Sequence, residues 1–138
     1  MRLSATRTSI TAKGFVATSG YTPPAPDTTP PTLTITTSDN SLTVGETATI
    51  TFTWSETVIG FGDGNITTTG GSLSPINGSG AVYTAVFTPT AQSTTNGVIT
   101  VGANVVVDTS NNANTSGDSL TITVDTTADT TPPTLVIT

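Results

Sequence analysis

From Thr47 the chain reads TATITFTW, and its side chains fall into two sets, with Ala48, Ile50, Phe52 and Trp54 on one side and Thr47, Thr49, Thr51 and Thr53 on the other. Period two is the signature of a strand with one buried face, because successive side chains of extended backbone point in opposite directions. The alternation returns at Leu33 and Ile35, at Tyr83, Ala85 and Phe87, at Ile99 and Val101, at Val105 and Val107, and at Leu120, Ile122 and Val124. These residues are the expected core, each set backed by threonine or small residues. Between the runs lie SDNS (38–41), VGE (44–46), FGDGN (61–65), TGG (69–71), INGSG (76–80), TTNG (94–97) and TSNNANTSGD (109–118). Asn, Asp and Gly tolerate positive φ and bond their own backbone, so each cluster reads as a chain reversal.

About seven short strands within roughly 100 residues predict an all-β fold, a β-sandwich of the immunoglobulin type with an extended N-terminal arm. The chain also repeats itself: DTTPPTLTIT begins at Asp27 and DTTPPTLVIT at Asp129, differing only where Thr34 is replaced by Val136. Each copy of a sandwich buries its own core, so a second linker and first strand mark the start of a second sandwich. The expected organisation is a basic arm at 1–20, a proline-rich linker at 21–31, a sandwich over 27–128, and at 129–138 a linker with the first strand of a second, incomplete repeat. Proline at the density of YTPPAPDTTPP fixes φ and favours a stiff, extended spacer.

Composition narrows the chemistry. Threonine makes up about a quarter of the chain, a β-branched bias that suits half-buried sheet and disfavours helix. There is no cysteine and no histidine, which removes thiolate nucleophiles, imidazole bases and the commonest zinc ligands. The lone lysine, Lys13, is far in sequence from any sandwich cleft, so no catalytic residues are expected and the protein is read as a non-enzyme. All three basic residues, Arg2, Arg7 and Lys13, lie in the first thirteen positions, and all nine acids lie from Asp27 onward. An acidic body with three scattered cations argues against nucleic acid as a partner. No segment is apolar for long enough to cross a bilayer, and with Met1 as the native start a cleaved secretory signal is not expected.

The motifs DTTPPTLTIT, GETATITFTWSETVIGF, GGSLSPINGSGAVYTAVFTPTA, VDTSNNANT and SLTITVDTT together resemble the bacterial immunoglobulin-like repeats of threonine-rich bacterial surface proteins and tailed-phage virions. The resemblance covers the body from Asp27 to Asp125 and leaves out the arm. Such repeats usually carry an Asp-x-x-Gly-Asn turn where this chain has Asp108-Thr-Ser-Asn111-Asn112. Asparagine can take glycine's left-handed position, so the turn is expected to survive. Trp54 stands where a smaller aromatic is more usual, implying a slightly different core.

Two constellations are candidate sites. The resemblance implies calcium at linkers, and a hard cation needs several converging oxygen donors. Asp27, Glu56, Asp108 and Asp129 are the candidate ligands, if linker, the end of the second strand and the late turn meet at one pole. The Asp-x-Asp-x-Asp spacing of a dedicated calcium loop is missing, and capping of turns is the plainer role for these acids. The arm is the second candidate: Arg2, Arg7 and Lys13 would supply charge while Ile10, Phe15 and Val16 fill pockets as the arm adds strands to a neighbour's sheet edge. A free tail is the alternative. Asn65, Asn77 and Asn114 match the glycosylation triplet, as expected by chance in a chain so rich in Asn, Ser and Thr. Phe61 and Tyr21 are aromatics that could face carbohydrate, with core or linker packing the competing role.

The leading expectation is a structural decoration protein of a tailed-phage virion, on capsid, neck or tail. It would be held in multiple copies to other virion proteins by its arm, and host-surface glycans are potential partners. A calcium-stiffened stalk repeat of a bacterial cell-surface adhesin is the alternative, and a carbohydrate-binding accessory module a third.

Overall fold

The computed structural model describes residues 22–138. Eleven strands form in chain order: β1 (Leu33–Thr37), β2 (Ser41–Leu42), β3 (Ala48–Trp54), β4 (Val58–Ile59), β5 (Ile66–Thr69), β6 (Gly71–Leu73), β7 (Asn77–Ser79), β8 (Val82–Pro89), β9 (Gly97–Val101), β10 (Val107–Asp108) and β11 (Asp118–Val124). The one helical turn among the described residues is a 3-10 turn at Asp63–Asn65. One sheet runs β1-β3-β8-β6, with β7 also paired to β8, and the other runs β2-β11-β9-β5. A short ribbon joins β10 to β4. The expected all-β sandwich is therefore present, with more strands than the sequence pattern suggested. The first expected strand, β1, pairs with β3, and after the expected turn an additional strand, β2, lies in the other sheet and pairs parallel with β11.

The alternating residues of β3 account for the layering. Ala48, Ile50, Phe52 and Trp54 are all buried, and they meet Leu33 and Ile35 from β1, Tyr83, Ala85 and Phe87 from β8, and Ile99, Val101, Ile122 and Val124 from the facing sheet. Each of these was an expected core position. A side chain of this size removed from water contributes roughly 1.5–3 kcal/mol, so the interlayer contact dominates the fold's stability. Phe61 closes one end of the core. Its ring stands edge-to-face to Phe52, Trp54 and Tyr83 at centroid distances of 5.4, 5.5 and 5.1 Å. It is therefore a packing residue rather than an exposed platform for sugar. The Trp54 indole N–H, buried beside it, has no hydrogen-bond partner among the described residues.

Two expectations need correction. Val105 and Val107 were placed in the core, yet the fully buried residue of that stretch is Val106, and its neighbours are half-buried. The backbone there is no regular strand until Val107. Asn104 adopts φ 59° and Asn114 takes the amides of Val105 and Val106, which rotates the register by one. The glycines at 71 and 97 were read as turn residues, but both lie in strands, one in each sheet. A Cβ on Gly97 would lie 2.4 Å, and one on Gly71 2.6 Å, from the Phe87 ring, so these positions are empty to admit that ring.

β3 and β8 define two poles. Trp54, Ser55 and Glu56 stand at the end where β1 begins, the proximal pole. Ala48 pairs with Phe87 at the other end, where β8 finishes and β11 leads into Asp125. Seven residues of strand separate the two, or about 20 Å at roughly 3.3 Å per residue.

Candidate functional site

The proximal pole is built by three segments that are distant in sequence. The linker arrives at Asp27, whose side-chain oxygen accepts the Thr29 amide at 2.9 Å in an Asx turn. The chain leaves β3 at Trp54 and places Glu56 on the same end. Asp108, the last residue of β10, is brought there by its pairing with Val58. Ligand oxygens of Asp27, Glu56 and Asp108 all lie within 4.8 Å of one another, graded from exposed to half-buried to buried.

Asp108 is organised from within its turn. Its Oδ1 accepts the amides of Ser110 and Asn112, each at 2.8 Å, and its Oδ2 accepts the Asn112 side-chain amide at 2.8 Å. Asn111 sits at φ 71°, the left-handed position that the resemblance had assigned to glycine. Burial pushes the Asp108 carboxyl up, but the side-chain and backbone bonds from Asn112 and the amides of Ser110 and Asn111 outweigh it and hold the group below the ordinary carboxylate range. Glu56 is shifted the other way. Desolvation raises its pKa, and the carboxylates of Asp108 and Asp27 beside it raise it further.

Asn112 was missed as a site residue. Its Nδ2 donates to the Asp27 backbone carbonyl at 3.0 Å as well as to Asp108, so one amide staples the linker onto the turn. The motif Asp108-Thr-Ser-Asn111-Asn112 was the available signal, but sequence shows only the turn, not that a linker 85 residues away would lie against it.

Asp129 is not brought to this cluster. It lies at the distal pole, on a groove shared with Val44 and Glu46. Its own Asx turn, to the Thr131 amide at 2.8 Å, copies that of Asp27. Arg2, Arg7, Ile10, Lys13, Phe15 and Val16, with Tyr21, fall outside the described residues. Asn114, one of the three glycosylation triplets, is fully buried and so is closed to modification in the folded state.

The three clustered carboxylates could hold a hard dication. A carboxylate offers about four lone-pair sites, and on Asp108 three are taken by Ser110 and Asn112 while the Asn111 amide and Glu56 crowd the fourth, so it could give a cation one oxygen at most. The second oxygen of Asp27 and both oxygens of Glu56 carry no hydrogen bond from a described residue apart from the contact between Glu56 and Asp108. Calcium takes six to eight oxygens, so this set would supply about half a shell. No basic side chain among the described residues neutralises the cluster, since all three basic residues precede position 22.

No helix among the described residues is long and apolar enough to cross a membrane. A search of curated proteins finds no match to the chain. Residues 27–124 match the bacterial Ig-like domain family, a span that runs from the first carboxylate of the proximal cluster to the end of β11. With its two sheets and this match over most of its length, the chain belongs to the bacterial Ig-like domain family.

Proposed function

We propose that this chain is a non-catalytic link in a tandem array of sandwiches, a spacer that holds other elements away from a surface. The observation that carries the reading is the duplicated segment. Asp27 to Thr36 enters the sandwich at the proximal pole, and its near-copy, Asp129 to Thr138, leaves from the distal pole. Entry and departure at opposite ends is the geometry that stacks repeats head to tail.

The cation reading supplies the stiffness such a spacer needs. Calcium bound by Asp27, Glu56 and Asp108 would pin the linker to the sandwich and relieve the repulsion now borne by Glu56. The sign follows from the shift. A carboxyl whose pKa is raised by folding carries no penalty below its ordinary value of 4.5, and a full one once pH exceeds the raised value. At neutral pH in chelator, Glu56→Gln should therefore raise Tm. Millimolar calcium, the range in which extracellular modules bind, should raise the Tm of the unaltered chain by mass action and that of Glu56→Gln much less. Equal Tm for the unaltered chain in chelator and in calcium would dismiss the cation while leaving the array.

The surface we favour is that of a tailed-phage particle, because the basic arm is set apart from an acidic body and could grip another protein of the particle. Removing residues 1–20 should abolish incorporation and leave the melting of the sandwich unchanged. Normal incorporation without the arm would point instead to the stalk of a bacterial cell-surface adhesin.

A further inference from the structure

At the distal pole the turn before β3, the end of β8 and the departing linker enclose a groove of about 670 Å³. Its walls are mainly carbon, from Val44, Pro89, Ala91 and Ala128, with Glu46 and Asp129 at the rim. Val44 is 63% exposed, an apolar side chain left facing solvent on the groove wall. We propose that this groove seats the proximal pole of the next sandwich, so that consecutive repeats dock instead of swinging on the linker. The proposal rests on the tandem-array reading above.

The tether argues for it. Asp129 lines the groove and is also the counterpart of Asp27, which in the first repeat lies within the proximal cluster. One position thus belongs to the distal pole of one sandwich and, by repetition, to the proximal pole of the next. In the first repeat the linker is drawn flat onto its pole, by Asn112 at the Asp27 carbonyl and by Ser55 Oγ accepting the Thr32 amide at 3.0 Å. A second repeat held the same way leaves the joint almost no slack, and Pro132 and Pro133 stiffen what remains.

The facing surface has a side chain to fill the groove. Ile59 is 55% exposed at the proximal pole, pointing out beside Val58, which pairs with Asp108. Its counterpart in the next repeat would meet the carbon walls, while Glu46 and Asp129 would face the counterparts of Glu56 and Asp108. Acids on both sides make closure sensitive to counter-ions, so the test is run with and without calcium.

The experiment joins residues 37–128 after Thr138, completing the second repeat. Since the chain has no cysteine, Thr121→Cys in each repeat gives one spin label per sandwich on an exposed strand position. Pulsed EPR should show a single narrow distance peak, and Val44→Asp in the first repeat should abolish it. Ala91→Glu, also on an exposed residue, provides an independent second variant. A narrow peak that survives both substitutions would overturn docking and assign the rigidity to the prolines. A broad distribution with both repeats folded would also overturn docking, yet leave the array intact. An appended repeat without hydrogen-exchange protection in its first strand would overturn the array itself. Amide shifts at Gly45 and Gln92 that follow deletion of residues 1–20, and not addition of the repeat, would place the arm in the groove and reject the proposal.

Discussion

Asn114→Ala should destabilise the sandwich by about 3–5 kcal/mol, because one buried and three part-buried backbone groups lose their partner together, at roughly 1–3 kcal/mol for each that water cannot reach. Asn114 has no exposed surface, and its side chain makes four hydrogen bonds. Oδ1 accepts the amides of Val105 at 2.9 Å and Val106 at 3.1 Å, while Nδ2 donates to the carbonyls of Gly102 at 2.9 Å and Ser116 at 2.8 Å. That uses both lone pairs and both protons of the amide, so the side chain stands in for a missing stretch of sheet ladder between β9, β10 and β11. Water can repair part of the loss if it enters the space left by alanine, which sets the lower end of the range. Asn114→Asp tests the mechanism. It keeps an acceptor for the two amides but turns an oxygen towards two carbonyls and buries a charge, and it should cost at least as much as alanine. Urea denaturation followed by tryptophan fluorescence measures both, and a loss below 1 kcal/mol for Asn114→Ala would show that the loop holds without the amide.

Phe52→Ala should cost about 3–5 kcal/mol, the range for aromatic truncation in a close-packed interior. Phe52 is wholly buried, lies opposite Ile35 and Tyr83 in the ladder, and packs edge-to-face with Phe61. Its neighbour Thr51 occupies the outer face of the same strand, opposite Thr36 and Thr84. Thr51 is half-buried there, and Thr51→Ala should cost about 1 kcal/mol, the centre of the range for single substitutions. The pair is a register test, since a slip of one residue exchanges the two faces. Because small domains are stable by only about 5–15 kcal/mol, Phe52→Ala is best read at low temperature, where enough folded protein remains to define the transition. Equal losses for the two substitutions would refute the assigned register of β3.

The core was legible because burial in a sandwich follows period two, and β3 keeps that period without interruption. It became illegible where the backbone leaves the extended region. At Asn104 a left-handed residue and the reach of Asn114 move Val106 inward, and no alternation rule anticipates a rotation imposed by a side chain eight residues further on. Gly71 and Gly97 were misread for a related reason. Sequence shows a glycine beside turn residues, whereas the need for it comes from a ring on a different strand. Three of the four candidate ligands meet at one pole because β1, β3 and β10 present their ends there and Asn112 ties the linker to the turn, contacts that no local pattern shows. Asp129 departs because it belongs to the second copy of the linker.

That duplicated segment separates what is local from what is tertiary. Asp27 and Asp129 form the same Asx turn, at 2.9 and 2.8 Å, because a carboxylate two residues before an amide needs nothing beyond its own chain. The strands that follow do not match. Leu33 and Ile35 are 9% and 6% exposed within β1, while Leu135 and Ile137 remain 83% and 84% exposed with no strand formed. The periodicity of the main strands and the local turns of the capping acids were therefore determined by sequence alone. Pairing, burial and the meeting of Asp27, Glu56 and Asp108 were decided by tertiary structure. An extended segment has no internal hydrogen bonds to hold it, and it becomes a strand only where a neighbouring edge supplies partners for its amides and carbonyls.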